Sequence, residues 1–160
     1  MKFFAKIGRA TEVAEVLERS KVYREYLQSV KDRLPVSAFE FATAAWHYDY
    51  SDHRCPHDSW VESLTIDEAA RGGRLEDRSL RISSRLLGAF HDGHLSLDYA
   101  DVQMYSLENP KTRAGHGDWL FDEIRLSENG FVLHEVLFGN DSLWLIEAKN
   151  ISCEWRLHVV

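Results

Sequence analysis

The chain has 160 residues, which predicts about one domain and is long enough to bury a core without disulfides or a structural metal. With 44% hydrophobic and 28% charged residues, the composition is that of a globular protein and excludes intrinsic disorder. The net charge of -7, with histidine neutral, argues against nucleic acid or an anionic membrane as the main partner.

The first third of the chain, residues 10–45, is predicted to be helical. Its apolar residues recur at helical spacing, with glutamate and arginine on the opposite face, at Val13, Val16, Leu17, Tyr23, Leu27, Val30 and Leu34. Pro35 ends this pattern. Ser37 and Glu40 then have the spacing of a capping box, which predicts a short second helix from about Ala38 to Ala45.

From residue 59 to residue 160 the apolar period changes to two, which predicts an antiparallel β body. Asp92-Gly93 lies between two alternating runs and predicts a type I′ hairpin with a two-residue loop, in which His91 pairs with His94. The alternation changes parity after Tyr99, so a bulge or break is expected near Asp101. Residues 108–117 are predicted to form the one long loop.

These patterns predict about eight strands, most of them joined by short turns. The predicted fold is α+β: N-terminal helices packed on a strongly bent, mostly antiparallel sheet or an up-and-down barrel of about eight strands. No interdomain linker or internal repeat is visible, so residues 1–160 are predicted to form a single domain.

The location is predicted from what is absent. Residues 3–5 alone separate Lys2 from Lys6, too few for the apolar part of a secretory signal, and no apolar run approaches the ~20 residues of a transmembrane helix. Cys55 and Cys153 lie far apart and outside any Cys-x-x-Cys pair. We therefore expect two free thiols and a cytoplasmic location.

The segment from His47 to Asp58 is the first candidate site, because seven potential metal ligands fall within twelve residues. The spacing matches no known metal signature, so His53, His57 and Asp58 are weak candidates for a metal site. A simpler interpretation is a surface loop in which aspartates form Asx turns. An aromatic cluster beside these charges also suits a binding surface. The candidate binding residues are Trp46, His47, Tyr48, Asp49, Tyr50, Asp52, His53, His57 and Asp58.

Two further candidate sites depend on strand register. His91 and His94 would face each other across the predicted hairpin, where two imidazoles could share one ion. If the next two hairpins have a four-residue and a two-residue loop, Glu123, His134 and Glu147 form a row across three strands. Such a row could hold a metal or act as an acid and base, although ion pairing on a solvated face is the simpler interpretation.

No catalytic signature such as a nucleophile elbow or a phosphate-binding loop is present. The leading hypothesis is therefore a small acidic binding domain, by analogy an immunity-type or regulatory partner protein, with no cofactor. It would bind a protein or a small ligand, but neither nucleic acid nor a membrane, and a homodimer is left open. The first alternative is a metal-dependent hydrolytic enzyme that uses the 47–58 cluster and one divalent transition metal such as Zn. The second is a small-ligand-binding β-barrel whose lumen contains Asp122 and Glu135.

Overall fold

The computed structural model describes residues 1–4, 13–108 and 115–158. In this part of the chain, two α-helices and one short 3-10 helix precede six strands: α1 (Val13–Ser29), the 3-10 helix (Lys31–Arg33), α2 (Val36–Thr43), β1 (Trp60–Ala69), β2 (Ser79–Leu87), β3 (Gly93–Leu107), β4 (Trp119–Leu126), β5 (Val132–Phe138) and β6 (Leu143–Leu157). The strands form one antiparallel sheet in the order β1-β2-β3-β6-β5-β4. The predicted α+β class is confirmed, whereas most of the predicted long loop (109–114) lies outside the described residues.

The helices pack against the sheet through part of the stripe that the sequence predicts, whereas Leu17 of that stripe is 62% exposed. Tyr23 and Leu27 of α1 are fully buried, and Pro35 is the N-cap residue of α2. The predicted capping box does not form, because the N-cap makes no side-chain hydrogen bond and the hydroxyl of Ser37 lies 2.8 Å from the carbonyl oxygen of Ile151 on β6. Among the described residues, no helix has both the length and the apolar character that crossing a membrane requires.

The expectation of eight strands is wrong, because two parity changes lie inside single long strands. The buried positions change parity between Tyr99 and Val102 in β3, and between Ala148 and Ile151 in β6. Asp101 lies at this place with φ 49°, and the register of the β3–β6 pair shifts just after Val102. The predicted irregularity near Asp101 is therefore confirmed, but it redirects a continuous strand instead of ending it.

The sheet is bent until its two edges touch at one corner. Just before β1, the N–H of Asp58 donates to the carbonyl of Trp119 (2.8 Å), and the N–H of Trp119 donates to the carbonyl of Ser59 (3.1 Å). The ladder goes no further, so the sheet is not closed and the predicted barrel is wrong. Trp119, Tyr99 and Trp144 are buried members of the hydrophobic core.

The edge of the sheet at β4 is covered by tyrosine hydroxyls. The Tyr23 hydroxyl accepts from the N–H of Ile124 (2.6 Å) and lies 3.1 Å from the carbonyl oxygen of the same residue, to which it donates. Tyr48 donates to the carbonyl of Asp122 (2.8 Å), and Tyr26 accepts from the N–H two residues beyond Ile124 (2.9 Å). These side chains satisfy backbone groups that an edge strand otherwise leaves open to a further strand.

The turn between β2 and β3 differs from the predicted two-residue hairpin. Residues 88–92 connect the strands, and His94 pairs with the last residue of β2 instead of with His91. His91 has φ 58°, whereas Gly93 is not in the left-handed region. A Cβ on Gly93 would lie 2.4 Å from the ring of Trp155, so glycine is required here by close packing and not by a positive φ.

Candidate functional site

A buried charged network links the helical part of the chain to three strands. Asp122 on β4 is its centre, and both carboxylate oxygens lie near Nε2 of His47, at 2.8 and 3.0 Å. Nε2 of His134 on β5 lies 3.0 Å from the same carboxylate, and Nε1 of Trp119 donates to it at 3.3 Å. The hydroxyl of Tyr99 on β3 lies 2.8 Å from Nδ1 of His134, which extends the network to a third strand.

The acceptors in this network determine where the protons are. Nδ1 of His47 lies 2.8 Å from the carbonyl oxygen of Phe41 and Nε2 faces Asp122, so both ring nitrogens must donate and His47 is an imidazolium. His134 donates from Nε2 to Asp122, and its Nδ1 shares a hydrogen bond with the hydroxyl of Tyr99, which can donate or accept. The network therefore contains a buried imidazolium, His47, beside a buried carboxylate, Asp122.

The two buried charges stabilise each other. Burial alone would raise the pKa of Asp122, but the charge on His47 and the hydrogen bonds from His134 and His47 hold that pKa far below its usual range. Burial alone would lower the pKa of His47, but the charge of Asp122 and the hydrogen bonds to Asp122 and Phe41 raise it above its usual value. Each group therefore favours the charged form of the other.

This network has no access to solvent. His47, Asp122 and His134 are each 1% exposed, so no substrate can reach their polar atoms in this structure. The network fastens the start of the 47–58 loop to β4 through the bond between His47 and Asp122. The pattern of residues assigned His47 and His134 to two separate candidate sites. It assigned Asp122 no role in the leading hypothesis for the function. The signal that could have found Asp122 was its position on an apolar face, where an acid needs a partner.

The rest of the 47–58 loop is held by local contacts. Trp46 packs against the core, stacked 6.0 Å from His47, and Tyr48 is partly buried. Asp49 accepts from the N–H two residues later (3.0 Å), and Asp52 does the same (2.9 Å), so both predicted Asx turns are confirmed. Asp58 takes a left-handed conformation, with φ 62°, where the loop reaches the sheet.

The proposed metal ligands of the loop do not converge. His53 faces Asp92 of the β2–β3 loop (2.5 Å), whereas His57 packs on Tyr50 (4.2 Å between rings) and approaches Asp58 (3.2 Å). Within residues 1–4, 13–108 and 115–158, no group of three or more histidine, cysteine, aspartate or glutamate side chains is arranged to hold a metal ion.

The two cysteines are free, as predicted. Cys55 is buried, and its thiol donates to the carbonyl oxygen of His47 at 3.1 Å. Burial raises the pKa of this thiol to about 12. A thiol held in its protonated form is a poor nucleophile, so Cys55 serves to anchor the loop.

The structure unites the 47–58 loop with the turn between β2 and β3. His53 stacks on Phe90 with ring centres 4.1 Å apart, and the next residue, His91, packs edge-on to Trp60 at 4.6 Å. Trp60 and Phe90 are each 48% exposed, and both histidines are exposed as well. We refer to His53, Trp60, Phe90 and His91 as the aromatic patch. It combines parts of two candidate sites that the sequence treated separately.

His94 has a different surrounding from the one predicted. Its Nδ1 lies 2.9 Å from Nε2 of His158 at the end of β6, and its Nε2 lies 2.8 Å from Glu62. The predicted His91–His94 pair is wrong, because the longer β2–β3 connection moves His91 off the strand and onto Trp60. A histidine pair does occur at this end of the sheet, but its second member is His158, the residue that follows β6.

The predicted row of Glu123, His134 and Glu147 is also wrong. Glu123 pairs with Glu135, and His134 pairs with the residue that precedes Glu147. Each register differs from the prediction by one residue, because the β4–β5 and β5–β6 connections are each one residue longer than assumed. A shift of one residue moves a side chain to the opposite face of the sheet. His134 therefore points into the core, whereas the two glutamates lie on the other face.

Glu123 and Glu135 form an ion cluster of their own. Glu123 accepts from the N–H of Phe3 (2.8 Å) and from Nε of Arg125 (2.9 Å), and the same guanidinium contacts Glu135. Glu135, which the barrel alternative placed in a lumen beside Asp122, thus lies on the opposite face from Asp122. These contacts fasten the described N-terminal residues to β4, so the cluster has a structural explanation.

Raising the pH from about 6 to 8 is expected to lower the free energy of unfolding, as measured by urea denaturation. Because folding raises the pKa of His47, its stabilisation is complete below the ordinary imidazole value of about 6.5 and is lost as the pH rises through the folded-state pKa. His47→Gln should flatten this profile, whereas the same change at exposed His53 should leave the decline in place. An unchanged slope in His47→Gln would contradict the imidazolium assignment.

Comparison with known proteins finds no family model that matches the chain, and no significant similarity to a curated protein or to a solved structure.

Proposed function

We propose that this protein is a non-enzymatic binding domain and that its partner is a protein that docks on the aromatic patch. The observation that carries the proposal is the exposure of Trp60 and Phe90, each 48%, side by side with two exposed histidines. Large aromatic rings are enriched in the centres of protein interfaces, where they bury much apolar area at a small cost in side-chain entropy.

The surroundings of the patch support a protein partner. Asp92 and Asp118 hold His53 and Trp60 through side-chain hydrogen bonds of 2.5 and 3.1 Å, so the rings are oriented before a partner arrives. Preorganised side chains lose little freedom on binding. The net charge of -7 favours a partner with a basic surface. An immunity-type or regulatory protein of the cytoplasm would have these properties, and that comparison rests on analogy alone.

The buried groups also favour binding over catalysis. The strongest acid–base constellation, His47 with Asp122 and His134, is sealed in the core and fully used in hydrogen bonds. The metal-dependent alternative gains no support from the described residues, because His53 and His57 point to different partners. Zinc or another divalent cation therefore has no part in the proposal.

The proposal can be tested by selecting binders from a displayed peptide library against the wild-type protein and measuring their dissociation constants by calorimetry. For binders of the patch, we expect the double variant Trp60→Ala/Phe90→Ala to raise Kd at least about 30-fold, the effect of losing a ~2 kcal/mol hot spot. Circular dichroism and the urea midpoint would verify that the variant remains folded.

The matched control is Leu75→Ala, which removes an apolar side chain that is 98% exposed and lies outside the patch. Its Kd should stay within about twofold of the wild-type value. The proposal fails if the selection yields no binder, or if every binder is as insensitive to the double variant as to Leu75→Ala. Turnover of ester, phosphate or amide substrates by the wild-type protein would contradict the non-enzymatic part.

A further inference from the structure

The two edges of the sheet, β4 and β1, differ in how far other parts of the described chain cover them. At β4, the hydroxyls of Tyr23, Tyr26 and Tyr48 bind backbone groups that would otherwise face outward. At β1 no comparable covering is found among the described residues. Since an unpaired strand edge promotes unwanted association, proteins commonly block or cover both edges. The β1 edge is interrupted by a register shift between Val61 and Ser63, and its uncovered regular part runs from Ser63 to Ala69.

The backbone of β1 is available along most of its length. β1 pairs with β2 on one side, and in the described ranges residues 61–69 make no other backbone hydrogen bond. The contact with β4 ends at Ser59, just before the strand begins. A strand of this length offers a series of N–H and C=O groups to an extended peptide, and main-chain hydrogen bonds supply affinity in this mode of binding.

The two faces of β1 have different chemistry. Leu64 and Ile66 lie on the core side, opposite buried residues of β2, yet Ile66 is 41% exposed. Asp67 lies on the other face, and Glu62 joins that face through its ion pair with Arg85 (2.8 Å). An added strand would thus place alternate side chains beside an apolar pair and beside carboxylates. β1 itself contains no lysine or arginine.

A second copy of the chain would bring like charges together at this edge in two antiparallel registers. In the fully overlapped antiparallel register of two β1 strands, Glu62 of one copy would face Asp67 of the other. A shift by one residue in one direction would place Glu62 opposite Glu68 of the other copy, whereas the opposite shift would place it opposite Ile66. Like charges directly opposite each other destabilise a strand pair, so these registers disfavour self-association.

We propose that the open edge of β1 binds an extended segment of a partner protein in which apolar residues alternate with lysine or arginine. The apolar side chains lie beside Leu64 and Ile66, and the cations lie beside Asp67 and Glu62. The inference goes beyond the proposed function, because its site is the backbone edge of β1 and not the aromatic patch.

The test uses a synthetic peptide of alternating lysine and valine, long enough to run along β1, titrated into the full chain and followed by calorimetry. Binding should be accompanied by slower hydrogen exchange of β1 amides. A glutamate/valine peptide of equal length should not bind. The lysine/valine peptide with alternate backbone nitrogens methylated should also fail, because it cannot complete the ladder.

Asp67→Lys should raise the Kd of the lysine/valine peptide about tenfold, because an attractive cross-strand pair becomes a repulsive one. The matched control is Glu25→Lys, which makes the same change in net charge at an exposed position of α1. Its Kd for the peptide should stay within about twofold of the wild-type value. The inference is overturned if the lysine and glutamate peptides bind alike, if neither binds, or if the two variants weaken binding equally. It is also overturned if protection appears outside β1.

The two proposals can fail separately. The Trp60→Ala/Phe90→Ala variant should retain the exchange protection that the lysine/valine peptide gives to residues 63–69, because that part of the edge lies beyond Trp60. If the edge does not bind while library binders still require the patch, the proposed function stands and only the edge inference is lost. If the edge binds the lysine/valine peptide while no library binder requires the patch, the proposed function is lost and the edge inference stands.

Discussion

Asp122→Asn is expected to lower the free energy of unfolding by about 3–5 kcal/mol, because it leaves His47 without its counter-ion in the core. Asparagine keeps the size of the side chain and one carbonyl acceptor, so the loss reports the charge and the hydrogen bonds of the second oxygen, and not a cavity. Urea denaturation followed by circular dichroism near pH 6, where the imidazolium is present in the wild-type protein, gives the measurement.

The control for this variant is Asp77→Asn, which makes the same chemical change on an exposed residue and should alter stability by less than about 0.5 kcal/mol. The double variant His47→Gln/Asp122→Asn should lose less than the sum of the two single losses, because the first substitution already removes the interaction. A loss at Asp122 no larger than that at Asp77 would show that the buried charge pair contributes nothing. Additive losses would show that the two residues act independently.

Tyr23→Phe is expected to lower the free energy of unfolding by about 1–3 kcal/mol per backbone group that stays unsatisfied. The substitution removes one oxygen atom, so packing against β4 is otherwise preserved. The N–H and C=O of Ile124, which both bond to this hydroxyl, would remain buried without a partner. The same urea titration gives the value, and an unchanged m-value would show that the unfolded state is unaffected.

Tyr105→Phe is the matched control, since that ring is 42% exposed on β3. It should change stability by less than about 0.5 kcal/mol. If the two variants were equally mild, the hydroxyl of Tyr23 would not be what satisfies the edge of β4, and the contrast between the two edges would lose its energetic basis.

The contacts in the candidate site could be predicted only in part from the pattern of residues. The pattern identified the 47–58 loop and the β2–β3 turn as unexplained by packing, and both contribute to the aromatic patch. It could not tell that His53 would meet Phe90, because that contact depends on how a loop folds over a distant turn. It also assigned His134 to the wrong face, since one extra residue in a connection reverses every side chain of the following strand.

Local periodicity and breaking residues were enough to determine the class of the fold. The helical stripe through Tyr23 and Leu27, the stop at Pro35 and the later period of two are properties of neighbouring residues, and each specifies its own element. The irregularity at Asp101 was visible for the same reason. These signals need no knowledge of what lies across the core.

Only the tertiary structure decided the number of strands, the open sheet and the partners of the buried charges. A change of parity in the apolar pattern looks the same in the sequence whether a strand ends or bends. The prediction therefore counted eight strands, whereas the structure has six, because β3 and β6 are each continuous. Closure depends on whether another element covers the edge, and α1 does so at β4 through Tyr23. The composition alone gives the net negative charge of the chain. The burial of Asp122 between two histidines could not be predicted, because it depends on the strand registers and on the position of the 47–58 loop at the same time.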